Sequence, residues 1–106
     1  MPSKTVAVCV LVACMIVPTA FAARKEKPMN DAQTKELFAT TCGWCHSDGG
    51  RQAGKGPKLA GTKRSDSFIV NRIKNGKEGA MPAFEGSLSD TQIKGIIHYI
   101  RNLKSE

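Results

Sequence analysis

The chain has 106 residues and carries 16 Lys or Arg against nine Asp or Glu, a formal net charge of +7 at pH 7. We expect one domain in these residues, with only a modest hydrophobic core of the kind that small proteins often supplement with a metal, a cofactor or a partner. The excess of basic over acidic residues favours an anionic partner, such as a nucleic acid, an acidic protein or a membrane surface.

Residues 1–22 have the features of a secretory signal peptide. Lys4 precedes an apolar run over residues 6–17, and small residues at positions 20–22 offer a cleavage site. The run is shorter than the about 20 residues that span a bilayer, so we expect no transmembrane segment after processing. Export to the periplasm also excludes nucleic acid as a partner.

Cys14 leaves an alternative open, because residues 11–14 resemble the lipid-attachment site of bacterial lipoproteins. The residues after Cys14 stay apolar, whereas a lipid-anchored linker is usually polar, and we therefore favour the soluble form. Loss of Cys9 and Cys14 with the leader leaves only Cys42 and Cys45 in the mature chain, which excludes a disulfide framework.

Residues 23–30 are charged and contain little to bury, which predicts a disordered N-terminal stretch. The domain then occupies residues 31–106. Asn30 or Asp31 can cap a first helix, in which Leu37 and Phe38 lie along one side. We expect this helix to run into Cys42.

Cys42-Gly43-Trp44-Cys45-His46 is the arrangement that attaches a c-type haem. The two thiols can form thioethers with one porphyrin edge, and His46 can bind the iron. A thioredoxin-like dithiol is an alternative, but that motif belongs near a βαβ pattern and gives the histidine no role. A zinc site that adds His98 matches none of the usual spacings. We predict one covalent haem c.

Residues 47–61 contain five glycines and no apolar period, and they predict a loop. Basic side chains crowd in and just after this loop, at Arg51, Lys55, Lys58, Lys63 and Arg64. They are either a solvated surface or a docking surface for an acidic redox partner, which charge would steer into contact.

Two more helices follow. Ser65 is a good N-cap for the second, and Gly76 a natural end. An irregular stretch over residues 77–88 precedes the third, which begins with a capping box between Ser89 and Gln92. Its apolar positions fall on one stripe: Ile93, Ile96, Ile97, Ile100 and Leu103. The periods are helical rather than alternating, so we predict an all-α fold.

A second axial ligand for haem iron could come from Met29, Met81 or His98. Met81 stands in a loop in which Gly79 allows close backbone approach and Pro82 fixes the chain. Met29 lies too near the proximal side, and His98 is expected to be a structural residue of the last helix. The alternative for Met81 is a methionine that fills a gap in the core.

The chain resembles the class I c-type cytochromes over about residues 31–106. Three segments carry the resemblance: the haem motif, Gly56-Pro57-Lys58-Leu59, and Met81-Pro82-Ala83-Phe84. It implies the cytochrome c fold, with three main helices and loops wrapped around one covalent haem. It also implies that the Pro57 carbonyl accepts a hydrogen bond from His46, and that Leu59 presses on the haem face.

The resemblance further implies that the first and last helices cross, with Phe38 meeting Tyr99. Thr34 departs from the glycine that the family often has there, which puts the tightness of the crossing in doubt. Trp44 lies inside the haem motif and so cannot bind a haem propionate as a loop tryptophan does in some relatives. The candidates for that contact are Arg51, Arg64, Arg72 and Lys74.

Iron bound by both His46 and Met81 has no open site, which is typical of an electron carrier rather than an enzyme. We expect a monomer that takes single electrons from a dehydrogenase or quinol-oxidising complex and passes them to an oxidase or reductase. Two alternatives remain: a five-coordinate haem protein with a gas-binding or peroxidase-like role, and a dedicated cytochrome subunit of a quinoprotein dehydrogenase complex.

Overall fold

The computed structural model describes residues 25–105, and the predicted signal peptide and Cys14 lie outside this range. Three α-helices follow one another: α1 over Asp31–Thr41, α2 over Asp66–Asn75 and α3 over Asp90–Asn102. In the described range the β contacts are isolated bridges rather than strands. The predicted all-α class with three main helices is confirmed. None of these helices is long and apolar enough to cross a membrane.

Side-chain caps begin the helices at the positions that the sequence predicts. Asn30 accepts a hydrogen bond from the Gln33 amide at 2.8 Å, and the Gln33 side chain bonds back to the Asn30 amide at 3.1 Å. Ser89 and Gln92 form the same kind of capping box on α3, and Ser65 caps α2. These bonds satisfy amides that have no acceptor within the helix.

The core lies where the three helices meet. The isoleucine stripe of α3 is its centre, with Ile93 2% and Ile96 1% exposed. Full burial of one such side chain stabilises the fold by about 1.5–3 kcal/mol. The buried cluster comprises Phe38, Ile73, Ile93, Ile96, Ile97 and Ile100.

The crossing of α1 and α3 is close despite Thr34. Thr34 is 4% exposed, and its hydroxyl turns back to the Asn30 carbonyl at 3.0 Å. The small residue at this contact is on the other helix, since a Cβ on Gly95 would lie 3.3 Å from Thr34 Oγ1. Phe38 and Tyr99 meet as expected, with ring centroids 4.8 Å apart. Gly95 of α3 therefore permits the close approach of the two helices that Thr34 of α1 had put in doubt.

Arg101 ties α3 to the segment that leads into α2. Its guanidinium donates to the Thr62 carbonyl at 2.9 Å, to the Arg64 carbonyl, and to the Asp66 carboxylate at 2.7 Å. The planar fork of arginine suits several acceptors at once. Arg101 therefore fixes the path of the chain just after Leu59.

Candidate haem site

The cysteines and histidine of the haem motif follow α1 without a break. The amides of Cys45 and His46 both donate to the Cys42 carbonyl, at 3.1 and 3.0 Å, which closes one tight turn. Glycine is required in this turn, because a Cβ on Gly43 would lie 2.6 Å from the Ala39 carbonyl oxygen. The turn brings Cys42, Cys45 and His46 together at the C-terminal end of α1.

His46 is buried, with 8% of its surface exposed. Its Nδ1 lies 2.8 Å from the Pro57 carbonyl oxygen, the contact that the resemblance implies. A carbonyl can only accept, so Nδ1 carries the proton and Nε2 keeps its lone pair. The imidazole is therefore held in the tautomer that can bind a metal through Nε2.

Gly56 packs against the imidazole ring and was not singled out for this role from the sequence. A Cβ here would lie 2.6 Å from His46 Cε1 and 2.9 Å from Nδ1. The Gly56 amide donates to the Cys45 carbonyl at 2.8 Å, which presses the loop onto the motif. The position of this glycine directly before Pro57 is the signal that could have indicated its role.

A left-handed turn positions Leu59. Gly50 has φ +94°, and its carbonyl accepts the amides of Leu59 and Ala60 at 2.9 and 3.0 Å. A side chain at position 50 would crowd Phe38, because a Cβ on Gly50 would lie 3.2 Å from Phe38 Cζ. Leu59 is consequently held half-buried against the core.

Met81 lies in a loop that is fastened to the end of α2. Met81 and Lys77 exchange two backbone hydrogen bonds of 2.8 Å, and the Phe84 amide donates to the Ile73 carbonyl at 2.9 Å. Gly76 allows this approach, because a Cβ there would lie 2.7 Å from the Ala83 nitrogen. Met81 is partly buried beside the core, so the loop holds its thioether in one region of the fold.

The surroundings of the Cys42 thiol do not favour a redox dithiol. Burial, reinforced by the neighbouring Cys45, raises the pKa of Cys42 to about 11. Catalytic dithiols have a thiol pKa below the ordinary value, because the thiolate is the nucleophile. The environment of Cys42 therefore argues against the thioredoxin-like alternative.

The candidate propionate contacts differ in their surroundings. Lys74 pairs with Asp90 at 2.9 Å, and the Arg51 guanidinium donates to the Asp48 carbonyl. The guanidinium groups of Arg64 and Arg72 instead lie over the ring of Phe68, at 4.6 and 5.2 Å from its centroid.

The donor set of this region fits a haem c. Two thiols are separated by two residues, the adjacent imidazole has Nε2 available, and a thioether sulfur is held in a separate loop. These are the groups that attach and ligate haem in cytochromes c. Half-buried apolar side chains pack on the core beside them and suit an apolar macrocycle: Leu59, Ile69, Val70, Phe84 and Leu88.

The family described as cytochrome C oxidase, cbb3-type, subunit III matches residues 30–100. The chain belongs to the c-type cytochromes. It is a monohaem electron-transfer cytochrome with a covalently attached haem c, as the motif predicts.

Relatives of known name or structure agree with this assignment. A cytochrome c6 of Leptolyngbya boryana is 39% identical over 71 residues, which are 61% of this chain and 82% of that protein. The structure of the c-type cytochrome NirC has a TM-score of 0.54 at 27% identity, and the match covers 65% of this chain and 86% of that one. The structure of a Kustc0563 variant has a TM-score of 0.58 at 26% identity, and the match covers 67% of this chain and 98% of that one. The cytochrome c fold is confirmed.

Proposed function

We propose that this cytochrome is a periplasmic one-electron carrier whose iron is bound by His46 Nε2 and Met81 Sδ. The observation that carries the proposal is the buried imidazole of His46, bonded through Nδ1 to the Pro57 carbonyl at 2.8 Å. A buried histidine with its second nitrogen directed by a carbonyl is the arrangement of a metal ligand.

Each proposed site residue has a distinct task. Cys42 and Cys45 hold the porphyrin edge through thioethers, and Leu59 excludes water from the face beside His46. The Pro57 carbonyl fixes the imidazole ring and raises its basicity. Haem c supplies a reversible one-electron couple when bound. The single electron would come from a reduced partner protein and pass to an oxidised one, with no bond made or broken.

Met81 is the proposed ligand that closes the second iron face. A thioether is a soft donor that stabilises the reduced metal and raises the reduction potential relative to a second histidine. The backbone bonds between Lys77 and Met81, and between Phe84 and Ile73, support a ligand whose position changes little with oxidation state. A rigid, closed site favours electron transfer over ligand binding.

The proposed carrier works alone and meets acidic partners. The similarity to a cytochrome c6 over 82% of that protein's length supports a small independent carrier. The basic residues after the haem motif support acidic docking surfaces on the electron donor and acceptor. Size exclusion of a native extract tests the first point, since co-elution with a dehydrogenase or oxidase would indicate a dedicated subunit.

An optical redox titration of the exported holoprotein tests the proposal as a whole. We expect one haem, one reversible couple, and in the ferric form the weak near-infrared band of methionine–iron ligation. Rapid binding of carbon monoxide to the ferrous form would instead indicate the five-coordinate alternative. The mass of the exported protein tests processing, because cleavage after Ala22 and lipidation at Cys14 give different masses.

A further inference from the structure

Trp44 is a large apolar side chain that the fold leaves at the surface, with 83% of its area exposed. Its indole N–H donates to the Thr40 carbonyl at 3.1 Å, one of the last carbonyls of α1. Such carbonyls have no donor within the helix. The indole is therefore held in one orientation while its ring faces solvent.

The place of Trp44 in the chain puts it at the edge of the proposed haem site. It lies between Cys42 and Cys45, and consecutive Cα atoms are about 3.8 Å apart. A molecule that contacts the chain at Trp44 is therefore within one or two residues of each cysteine that is proposed to attach the porphyrin.

Two exposed lysines lie in the loop that packs on the haem motif. The Gly56 amide bonds to the Cys45 carbonyl at 2.8 Å, which places the exposed Lys55 beside the motif. Lys58 is exposed next to Pro57, the residue that bonds to His46. Over residues 47–64 the only acidic residue, Asp48, stands against five basic ones.

We propose that Trp44 is the apolar anchor by which this cytochrome docks on an acidic redox protein. Its indole enters an apolar depression on the partner, and carboxylates around that depression meet Lys55 and Lys58. Binding energy at interfaces concentrates in central aromatic side chains, while charges at the rim steer the encounter. The bond to Thr40 lowers the cost of binding because the ring is already ordered.

This inference rests on the proposed electron-transfer function, and its test uses the holoprotein on two model surfaces. One gold electrode carries a carboxylate-terminated monolayer, and the other a mixed monolayer with carboxylate and methyl ends. Voltammetry measures adsorption affinity and potential for the wild type, Trp44→Ala and Trp44→Phe. Lys58→Gln tests the charged rim, and Lys94→Gln on α3 is its matched control.

On the mixed monolayer we expect Trp44→Ala to bind at least about tenfold more weakly than the wild type, the loss typical of an aromatic anchor. On the pure carboxylate monolayer the affinities of the wild type and Trp44→Ala should agree within about twofold, because only charge acts there. Trp44→Phe keeps an aromatic ring but loses the bond to Thr40, so on the mixed monolayer its affinity should lie between those of the wild type and Trp44→Ala. Lys58→Gln should weaken adsorption to both monolayers more than Lys94→Gln does.

Three results would overturn the proposal. Equal binding of Trp44→Ala and wild type on the mixed monolayer would remove the anchor. Equal losses of affinity for Trp44→Ala and Trp44→Phe would show that the aromatic ring itself does not bind. The loss would then come from the missing bond to Thr40. Trp44-dependent co-sedimentation with phosphatidylglycerol vesicles would indicate a lipid surface instead. If the wild type showed no reversible couple, the proposed function itself would be contradicted. An unchanged potential in Trp44→Ala would show that its weaker binding leaves the proposed function intact.

Discussion

Gly56→Ala places a methyl group against the imidazole of His46, which supplies the three atoms nearest to the new Cβ. The new Cβ would lie 2.6 Å from Cε1, about 0.8 Å inside the ordinary contact limit of 3.4 Å. If the ring retreated by that distance along the line of the hydrogen bond, the 2.8 Å bond to Pro57 would lengthen to about 3.6 Å. At that length it is no longer a hydrogen bond.

Two measurable effects follow from this displacement. Overpacking of this kind costs about 1–3 kcal/mol, and each kcal/mol lowers the Tm of a small domain by about 4–8 °C. Loss of the bond also makes the imidazole less basic and the ferric form less stable. The reduction potential should therefore rise by up to about 40 mV, which corresponds to about 1 kcal/mol for one electron.

Spectroelectrochemistry and thermal unfolding of the holoprotein measure both effects. Gly86→Ala is the matched control, because its Cβ would meet nothing within 4 Å although the backbone has φ +80°. That variant should lose stability and keep the wild-type potential. A Gly56→Ala protein with wild-type potential and Tm would refute the role assigned to the His46–Pro57 contact.

Three further variants test other parts of the account. Met81→Ala should lose the ferric near-infrared band, lower the potential and bind carbon monoxide, whereas an unchanged spectrum would remove Met81 from the iron. Arg101→Ala should reduce the free energy of unfolding in urea by about 1–3 kcal/mol, since the Arg101 guanidinium holds two carbonyls and the Asp66 carboxylate; wild-type stability would contradict the clamp. Phe38→Ala should cost about 3–5 kcal/mol in the same assay, and a loss below about 1 kcal/mol would mean that the ring is not central to the core.

The helices could be predicted from the sequence because their signals are local. Ser65 and Ser89 begin α2 and α3 as expected, and the isoleucine stripe of α3 is the centre of the core. The hydrogen bond from His46 to Pro57 was likewise available, through the resemblance rather than through the residue pattern.

The contacts that the sequence did not indicate join residues far apart in the chain. Arg101 could be assigned only to the end of α3, since nothing local predicts that its partners are Thr62, Arg64 and Asp66. The doubt about Thr34 had the same origin, because the compensating Gly95 lies on another helix. Packing across the fold settles such pairs, and a single sequence carries no direct signal of it.

Proton and carbon NMR of the ferrous holoprotein with methyl-labelled methionine tests the central claim most directly. We predict that the Met81 methyl resonance moves far upfield, because a methyl group bound over the haem face lies in the ring current of the macrocycle. The Met29 resonance should stay near its ordinary position, and Met81→Leu should remove the shifted signal. Ordinary positions for both methyl groups would contradict ligation by Met81 and the closed site built on it.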